Sequence, residues 1–295
     1  MNGTSPRQLE VFVQIALLGS VRAAAGRLHL TQPAASMALA ELERQLDAPL
    51  FDRERGRLRL NPRGRELLPL AQELLERHAE FGRRGRAEGD VLSGELRIGA
   101  SNTVGNYRVG ELLGDFVRAH PRVAIRLRVA NTDAIAAAML EHALDLGCVE
   151  GPVAHPLLEV RPWRDDALVV CAAPDHPLSR KRGLKPADFA GARWVLREPG
   201  SATRTISERA LSQLPPGETV LELDQIEAIK QAVAAGLGIA CLPQVAVVDA
   251  LAAGRLKALK TPFLDLRRKL SMLIHKQKYR GALLDAFLAQ TRPAR

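Results

Sequence analysis

Cysteine and aromatic residues are both scarce in this chain of 295 residues. The three cysteines, Cys148, Cys171 and Cys241, lie far apart and form no Cys-x-x-Cys pair. This spacing fits neither a disulfide framework nor a zinc site. We therefore expect three small buried apolar side chains, with a redox role as the alternative. Aromatic residues make up only 4% of the chain, which is too few for the stacking platforms that bind RNA.

Long apolar runs are missing too. No run approaches the ~20 apolar residues of a membrane span, and the opening residues MNGTSPRQLEVF lack the basic-then-apolar build of a signal peptide. We therefore expect a cytoplasmic protein with no membrane partner. The composition, 46% apolar and 25% charged, is that of a globular protein. A length near 300 residues favours two domains.

Sequence motifs of common enzymes are absent as well. The chain has no G-x-S-x-G, H-E-x-x-H, P-loop or EF-hand spacing, and its seven histidines are scattered. The pair Gly236-x-Gly238 lacks the third glycine and the acidic partner of a dinucleotide site. The sequence therefore predicts no enzyme activity, no catalytic residues, no metal site and no cofactor.

Basic charge is abundant and concentrated at one end. The chain carries a formal charge of +9, which favours a polyanionic partner. Residues 1–65 hold ten arginines and six acidic residues. The densest cluster consists of Arg53, Arg55, Arg57, Arg59, Arg63 and Arg65.

The first 50 residues predict three helices. Apolar residues recur at helical spacing over 6–18, a short alanine-rich helix follows over 21–28, and Thr31 can cap a third helix that runs to about Leu46. Two short helices joined by a tight turn form a helix-turn-helix, and a plain helical hairpin is the alternative. The exposed face of the third helix would carry side chains able to contact base edges: Gln32, Ser36, Met37 and Ala40.

A hairpin and a long helix are predicted next. Alternation over 51–60, with a turn at Gly56, predicts a β-wing whose arginines contact phosphate, or else a solvated hairpin. Asn61 and Pro62 open a helix to about Arg86. Its apolar stripe suits pairing with a second copy, although packing on its own chain is the alternative. The stripe consists of Leu67, Leu70, Leu74, His78 and Phe81.

From Gly94 onward, strands and helices alternate in an α/β pattern. Two hydroxyl-rich turns precede helices, Ser101-Asn102-Thr103 and Ser201-Ala202-Thr203-Arg204. Free N–H groups at helix starts favour an anion, and simple capping is the alternative. Glu150 ends the third strand and is a further cleft candidate, although its carboxylate disfavours an anion.

The order of these parts resembles the LysR-type transcriptional regulators. Residues 8–51 are similar to their winged helix-turn-helix, and the match continues through Asp52-Arg53 and Asn61-Pro62-Arg63-Gly64. Two later stretches, 197–204 and 227–240, resemble the branch that contains regulators of sulfur assimilation and carbon fixation. Two positions depart from the family pattern. Met37 replaces a residue that is frequently polar, and Asp47 replaces the usual glycine in a turn that aspartate tolerates.

The resemblance implies an N-terminal all-α winged helix-turn-helix domain and an α/β effector domain of type II periplasmic-binding-protein-like architecture with two subdomains. The expected boundaries are 1–65 for DNA binding, 66–90 for the linker and dimerisation helix, and 91–295 for the effector domain. The two subdomains would be 91–164 with 266–295, and 165–265. The implied assembly is a homodimer or homotetramer.

The expected function is sequence-specific regulation of transcription on double-stranded DNA, with RNA polymerase as a further candidate partner. A small effector, an inorganic or carboxylate anion, would modulate DNA binding or bending. An enzyme with a fused DNA-binding segment and a solute-binding protein without a DNA function are the alternatives. The expected DNA-binding residues are Arg22, Thr31, Gln32, Pro33, Ser36, Met37, Arg53, Arg55, Arg57 and Arg63. The expected effector-binding residues are Ser101, Asn102, Thr103, Glu150, Thr203 and Arg204.

Overall fold

The computed structural model describes residues 3–54, 57–84 and 91–291. The predicted wing turn at Gly56 lies outside the described residues, and so does Arg55. Within the described part of the chain, no helix is both long and apolar enough to cross a bilayer.

Three helices and a hairpin form the N-terminal domain, as predicted. Side chains cap the three helices: Ser5 accepts from the Gln8 N–H at 3.3 Å, and Ser20 and Thr31 cap the next two. Asp47 adopts φ +49°, so aspartate takes the left-handed conformation that the usual glycine would adopt in this turn. The elements are α1 (Pro6–Leu18), α2 (Val21–Arg27), α3 (Gln32–Gln45), β1 (Phe51–Glu54) and β2 (Arg57–Leu60).

The long helix α4 (Pro62–Arg84) begins directly against this domain. Asn61 caps it: its Oδ1 accepts from the Gly64 N–H at 2.8 Å, and its Nδ2 donates to the Pro49 carbonyl at 2.8 Å. Leu68 and Ala71 then bury one face of α4 in the core formed by α1–α3.

Gly64 allows the close approach of α4 to the preceding loop. A Cβ atom at Gly64 would lie 2.1 Å from the Leu50 carbonyl oxygen, whereas one at Gly26 in α2 would meet nothing within 4 Å. We expect Gly64→Ala to lower the free energy of unfolding by about 1–3 kcal/mol, because overpacking outweighs the gain in helix propensity.

The control is Gly26→Ala, which should leave stability unchanged or raise it by about 0.5–1 kcal/mol. Urea unfolding of the full chain, followed by circular dichroism, measures both variants. Equal effects at the two glycines would contradict this packing.

The predicted apolar stripe of α4 has a partly buried start and an exposed remainder. Leu67 is partly buried against the N-terminal core, whereas Leu70, Leu74 and Phe81 are exposed in the single chain, Phe81 by 79%. The exposed apolar side chains are available for a second copy.

Polar contacts join α4 to the C-terminal domain. The Gln72 side chain donates to the His142 carbonyl at 3.1 Å. Lys278, which is buried, pairs with Glu76 at 2.8 Å and with Asp145 at 2.9 Å. Burial alone would raise the pKa of Asp145, but Lys278 and Arg97 lower it to about 2. The linker helix is therefore tied to the domain that follows it.

The first part of the C-terminal domain has a mixed sheet in which β3 pairs in parallel with β4 and β5, and β11 pairs antiparallel with β5. The residue pattern after Thr103 predicts one helix up to Ala119, whereas the structure breaks it at Arg108 into α5 and α6. The elements are β3 (Gly94–Ser101), α5 (Asn102–Tyr107), α6 (Val109–Ala119), β4 (Val123–Ala130), α7 (Thr132–Leu140), β5 (Leu146–Glu150), β11 (Arg267–His275) and α12 (Ala282–Gln290).

The second part surrounds the antiparallel β6–β9 and β6–β10 pairs and the parallel pair β7–β8. A short 3-10 helix, Pro186–Phe189, precedes β7. The elements are β6 (Leu158–Ala172), α8 (Pro177–Arg180), β7 (Arg193–Arg197), α9 (Ala202–Leu211), β8 (Glu218–Leu223), α10 (Ile226–Ala234), β9 (Ala240–Pro243), α11 (Gln244–Ala252) and β10 (Lys257–Leu259).

The 15-residue strand β6 crosses between the two parts. Its first half pairs with β11, and its second half pairs with β9 and β10. Trp163 is an extra residue where the β6–β11 register shifts, and it is buried in the first core. The residue pattern predicts a strand over 167–172, whereas in the structure that strand begins nine residues earlier, at Leu158. The proposed subdomain boundary at 164/165 falls inside it.

The three cysteines are free and buried. Burial raises the pKa of the Cys148 and Cys241 thiols to about 12, and burial together with Cys241 raises that of Cys171 to about 12. Thiols with such pKa values are not activated nucleophiles. The structure therefore favours the apolar role over the redox alternative.

Candidate functional sites

Helix α3 presents a polar face to solvent. Gln32, Pro33, Ser36 and Met37 are exposed, Met37 by 73%. The opposite face is buried in the N-terminal core through Ala35, Leu39 and Leu42. Helical periodicity thus brings the predicted base-contacting residues together on one surface. Thr31 lies at the start of that surface and caps the helix.

Exposed arginines accompany this face. Arg22 lies in the first turn of α2, and Arg53 and Arg57 lie on the two wing strands, all three exposed. Arg63 is exposed in the first turn of α4 and pairs with Glu66 at 2.9 Å. Exposed guanidinium groups suit phosphate contacts, which position a protein on DNA without reading its sequence.

A buried arginine organises the second site. Arg268 of β11 is only 6% exposed. Its Nη2 donates to Thr103 Oγ1 at 3.0 Å, and its Nη1 donates to Thr203 Oγ1 at 2.9 Å. Thr103 begins α5 in the first part of the domain, and Thr203 begins α9 in the second part. One side chain therefore ties the two parts together across the cleft between them.

Carboxylates offset the charge of this arginine. Arg268 Nε donates to Asp166 at 2.7 Å, and its Nη1 lies 3.8 Å from Glu150 Oε1. Arg108 approaches the other oxygen of Asp166 at 3.6 Å. The arrangement satisfies most of the buried charges by pairing, as low dielectric surroundings require.

Several buried polar atoms at the cleft nevertheless have no hydrogen-bond partner among the described residues. Two belong to predicted effector-binding residues, the Ser101 hydroxyl and Glu150 Oε2. Two others belong to arginines, Arg108 Nε and Arg197 Nη1. Unpaired buried polar groups are rare and costly in proteins. Four of the eight such side-chain atoms among the described residues lie here, which marks the cleft as a candidate binding site.

The remaining predicted effector residues lie elsewhere. Arg204 pairs with Glu208 at 2.7 Å and with Glu222, and it donates to the Arg197 carbonyl. These partners hold it away from the Thr103–Arg268–Thr203 cluster. Asn102 lines a neighbouring cavity of about 420 Å³, together with Asn106, Asn131, Glu198, Asp224 and Gln225.

Further hydrogen bonds hold the cleft closed. Asn131 Nδ2 donates to Glu198 at 3.2 Å, and the Asp133 N–H donates to the Gly200 carbonyl at 3.2 Å. Tyr107 of α5 donates to Glu227 of α10 at 2.5 Å. The described residues contain no group of three or more His, Cys, Asp or Glu placed to hold a metal ion.

Two family descriptions match nearly the whole chain. "Bacterial regulatory helix-turn-helix protein, lysR family" matches residues 6–65, and "LysR substrate binding domain" matches residues 89–294. The chain belongs to the LysR family. The predicted order of a helix-turn-helix domain and a two-part α/β effector domain is thereby confirmed, and so is the absence of enzyme activity as a family property.

Curated relatives agree with this family. The "Uncharacterized HTH-type transcriptional regulator YeiE" of Escherichia coli (strain K12) is 40% identical over 289 residues, covering 98% of this chain and 97% of the relative. A "Probable RuBisCO transcriptional regulator" of Cyanidioschyzon merolae is 30% identical over 290 residues, covering 96% of each. The resemblance to the branch with carbon-fixation regulators is confirmed by relatives of this kind.

Solved structures show the same architecture. A full-length OxyR variant from Pseudomonas aeruginosa superposes with a TM-score of 0.76 at 23% identity, covering 99% of this chain and 94% of that one. The Synechocystis PCC6803 CcmR regulatory domain in complex with 2-PG has a TM-score of 0.62 at 30% identity, covering 68% of this chain and 96% of that one.

Proposed function

We propose that this LysR-family protein binds specific double-stranded DNA through α3 and the wing, and that a small anion bound at the Arg268 cluster controls that binding. The observation that carries the effector half of the proposal is the Thr103–Arg268–Thr203 tie. A ligand that replaces these hydrogen bonds changes the relation of the two parts it joins. Control requires that the ligand prefer one arrangement over the other.

The DNA half of the proposal rests on the exposed face of α3. Gln32 and Ser36 offer donors and acceptors to base edges in a major groove, and Met37 offers an apolar contact to a thymine methyl group. The wing arginines would hold the phosphate backbone and make affinity depend on salt. Arg55 belongs to this proposal by its place in the sequence alone.

The proposed pairing of two copies is based on α4. Leu70, Leu74 and Phe81 form an exposed apolar stripe that pairing with a second copy would bury. Such a homodimer, or a homotetramer built from it, would hold two α3 helices at half-sites one DNA turn apart or a multiple of it.

The effector part rests on the chemistry of the cleft. Ser101, Thr103 and Thr203 supply buried hydroxyls, and Arg108 and Arg197 each keep one buried guanidinium nitrogen without a partner among the described residues. Hydroxyls and guanidinium groups are anion ligands. The CcmR regulatory domain, 30% identical to this chain, was solved with 2-PG. That bound compound supports the proposal of a small-molecule effector here.

Thr203→Val tests the effector site. Valine has nearly the shape of threonine but cannot accept the Arg268 hydrogen bond. We expect the melting temperature of the wild-type full chain to rise with at least one of phosphate, hydrogencarbonate and glycolate, measured against chloride at equal ionic strength. The variant should need at least ~10-fold more anion for the same rise.

Thr205→Val is the matched control, because Thr205 lies on the same helix and its hydroxyl donates only to the Ser201 carbonyl within α9. It should respond like the wild type. An unchanged anion response in Thr203→Val would place the effector site elsewhere.

A further inference from the structure

Glu150 has one oxygen in use and one without a partner. It ends β5 and is only 2% exposed. Its Oε1 accepts from the Thr103 hydroxyl at 3.0 Å, whereas Oε2 is buried without a hydrogen-bond partner among the described residues. An ionised carboxylate only accepts hydrogen bonds. Oε2 therefore requires a donor.

Glu150 also lies at the junction of the two parts of the domain. Its carbonyl accepts from Thr132 at the start of α7. The next residue, Gly151, approaches Ala202 of α9 so closely that a Cβ there would lie 2.7 Å from the alanine Cβ. Beside this contact, Gly151 and Arg268 line a cavity of about 310 Å³ whose walls also include Ile206 and Arg209 of α9. A ligand held at this cavity between the two parts can supply a donor to Oε2.

The charges around Arg268 exclude a simple preference for negative charge. Arg268 and Arg108 face Asp166 and Glu150, and Arg108 also pairs with Glu111 at 3.1 Å, so carboxylates already pair with both cations. A ligand with acceptors alone would place its lone pairs against Glu150, and like charges at close range repel strongly in a buried site.

We propose that the effector is an oxyanion that carries its own hydrogen-bond donor: a protonated inorganic oxyanion or a hydroxy-substituted acid. This inference rests on the proposed function, since it concerns the ligand of the same cleft. The anionic oxygens take the arginine and hydroxyl donors, and the ligand O–H donates to Glu150 Oε2. Glu150 thus selects against anions that have no proton to donate.

Three pairs of anions isolate this donor. Phosphate and sulfate are both tetrahedral, hydrogencarbonate and nitrate are both planar, and glycolate differs from acetate by one hydroxyl. In each pair only the first member can donate near neutral pH. Binding is measured by titration calorimetry on the full chain, near neutral pH and at constant ionic strength.

For the pair that binds best, we expect the donor-bearing anion to bind at least ~10-fold more tightly than its matched partner. A site built to accept a hydrogen bond rejects analogues that lack the donor by such factors or more. Glu150→Gln should reverse the preference, because the amide keeps an oxygen for Thr103 and presents an N–H in place of Oε2. Glu141→Gln, at an exposed helix end, is the control and should keep the wild-type ratio.

The test combines two results: the wild type's preference for the donor-bearing anion and the reversal of that preference in Glu150→Gln. Preference for the donor-bearing member, with reversal in Glu150→Gln, supports the inference. Equal or tighter binding of sulfate, nitrate or acetate overturns it, and so does an unchanged ratio in Glu150→Gln. If the wild type binds these anions in either overturning case, and Thr203→Val loses that anion binding, the proposed function stands although this inference fails. Binding of none of the six anions contradicts the anionic effector and overturns both.

Discussion

Ser36→Glu is expected to lose sequence-specific DNA binding while keeping its fold and assembly. Ser36 is exposed in the middle of the α3 face, and its neighbours on that face, Gln32 and Met37, are exposed as well. A glutamate there adds length and negative charge where base edges and phosphates approach. Lost base contacts cost about 1–3 kcal/mol each, and repulsion from the phosphates adds to this cost.

The expected result is at least a ~10²-fold loss of affinity for a specific site, measured by fluorescence anisotropy on labelled duplex DNA. Ser212→Glu makes the same change at an exposed serine that follows α9, far along the chain from the DNA-binding domain. It should bind like the wild type. Normal DNA binding by Ser36→Glu would show that α3 does not enter the groove as described.

Arg268→Met is expected to destabilise the effector domain more than any surface change. Methionine keeps part of the aliphatic stem but leaves Glu150 buried without a cation and Asp166 with Arg108 alone, and it removes the tie between Thr103 and Thr203. Removing one partner of a buried ion pair costs about 3–5 kcal/mol. Urea unfolding of the full chain, followed by tryptophan fluorescence, measures the loss.

The adjacent arginine provides the control. The side chain of Arg267 is 87% exposed and pairs only with Asp265, at 2.9 Å, among the ion pairs of the described residues. Exposed pairs contribute about 0–1 kcal/mol, so Arg267→Met should barely change stability. Similar losses at positions 267 and 268 would show that the buried tie does not hold the two parts together.

Local signals account for what the sequence predicted well. The Thr31 cap of α3, the left-handed turn at Asp47 and the wing alternation each depend on a few adjacent residues. Such features are set by backbone hydrogen bonding within one or two turns, so they can be recognised without knowing the rest of the fold.

The effector cleft depends on contacts between distant segments, and sequence reasoning missed its centre. Arg268 stands between Arg267 and Lys269 and looks like one of three surface charges. Strand alternation is the sequence signal that could have identified Arg268 as buried, because Arg268 shares a face with the buried Leu270 and Met272. Arg204 was expected in the cleft, but Glu222 helps hold it elsewhere, and Glu222 lies on β8, a strand that the residue pattern did not indicate.

We expect this chain to act as a sequence-specific DNA-binding regulator. That expectation is tested by binding of the full chain to DNA from upstream of its own gene, with random duplex DNA as the control, by anisotropy across a salt series. We expect a preference of ~10³-fold or more for the upstream DNA, with affinity that falls steeply as salt rises. Equal weak binding to both DNAs at every salt concentration would contradict it.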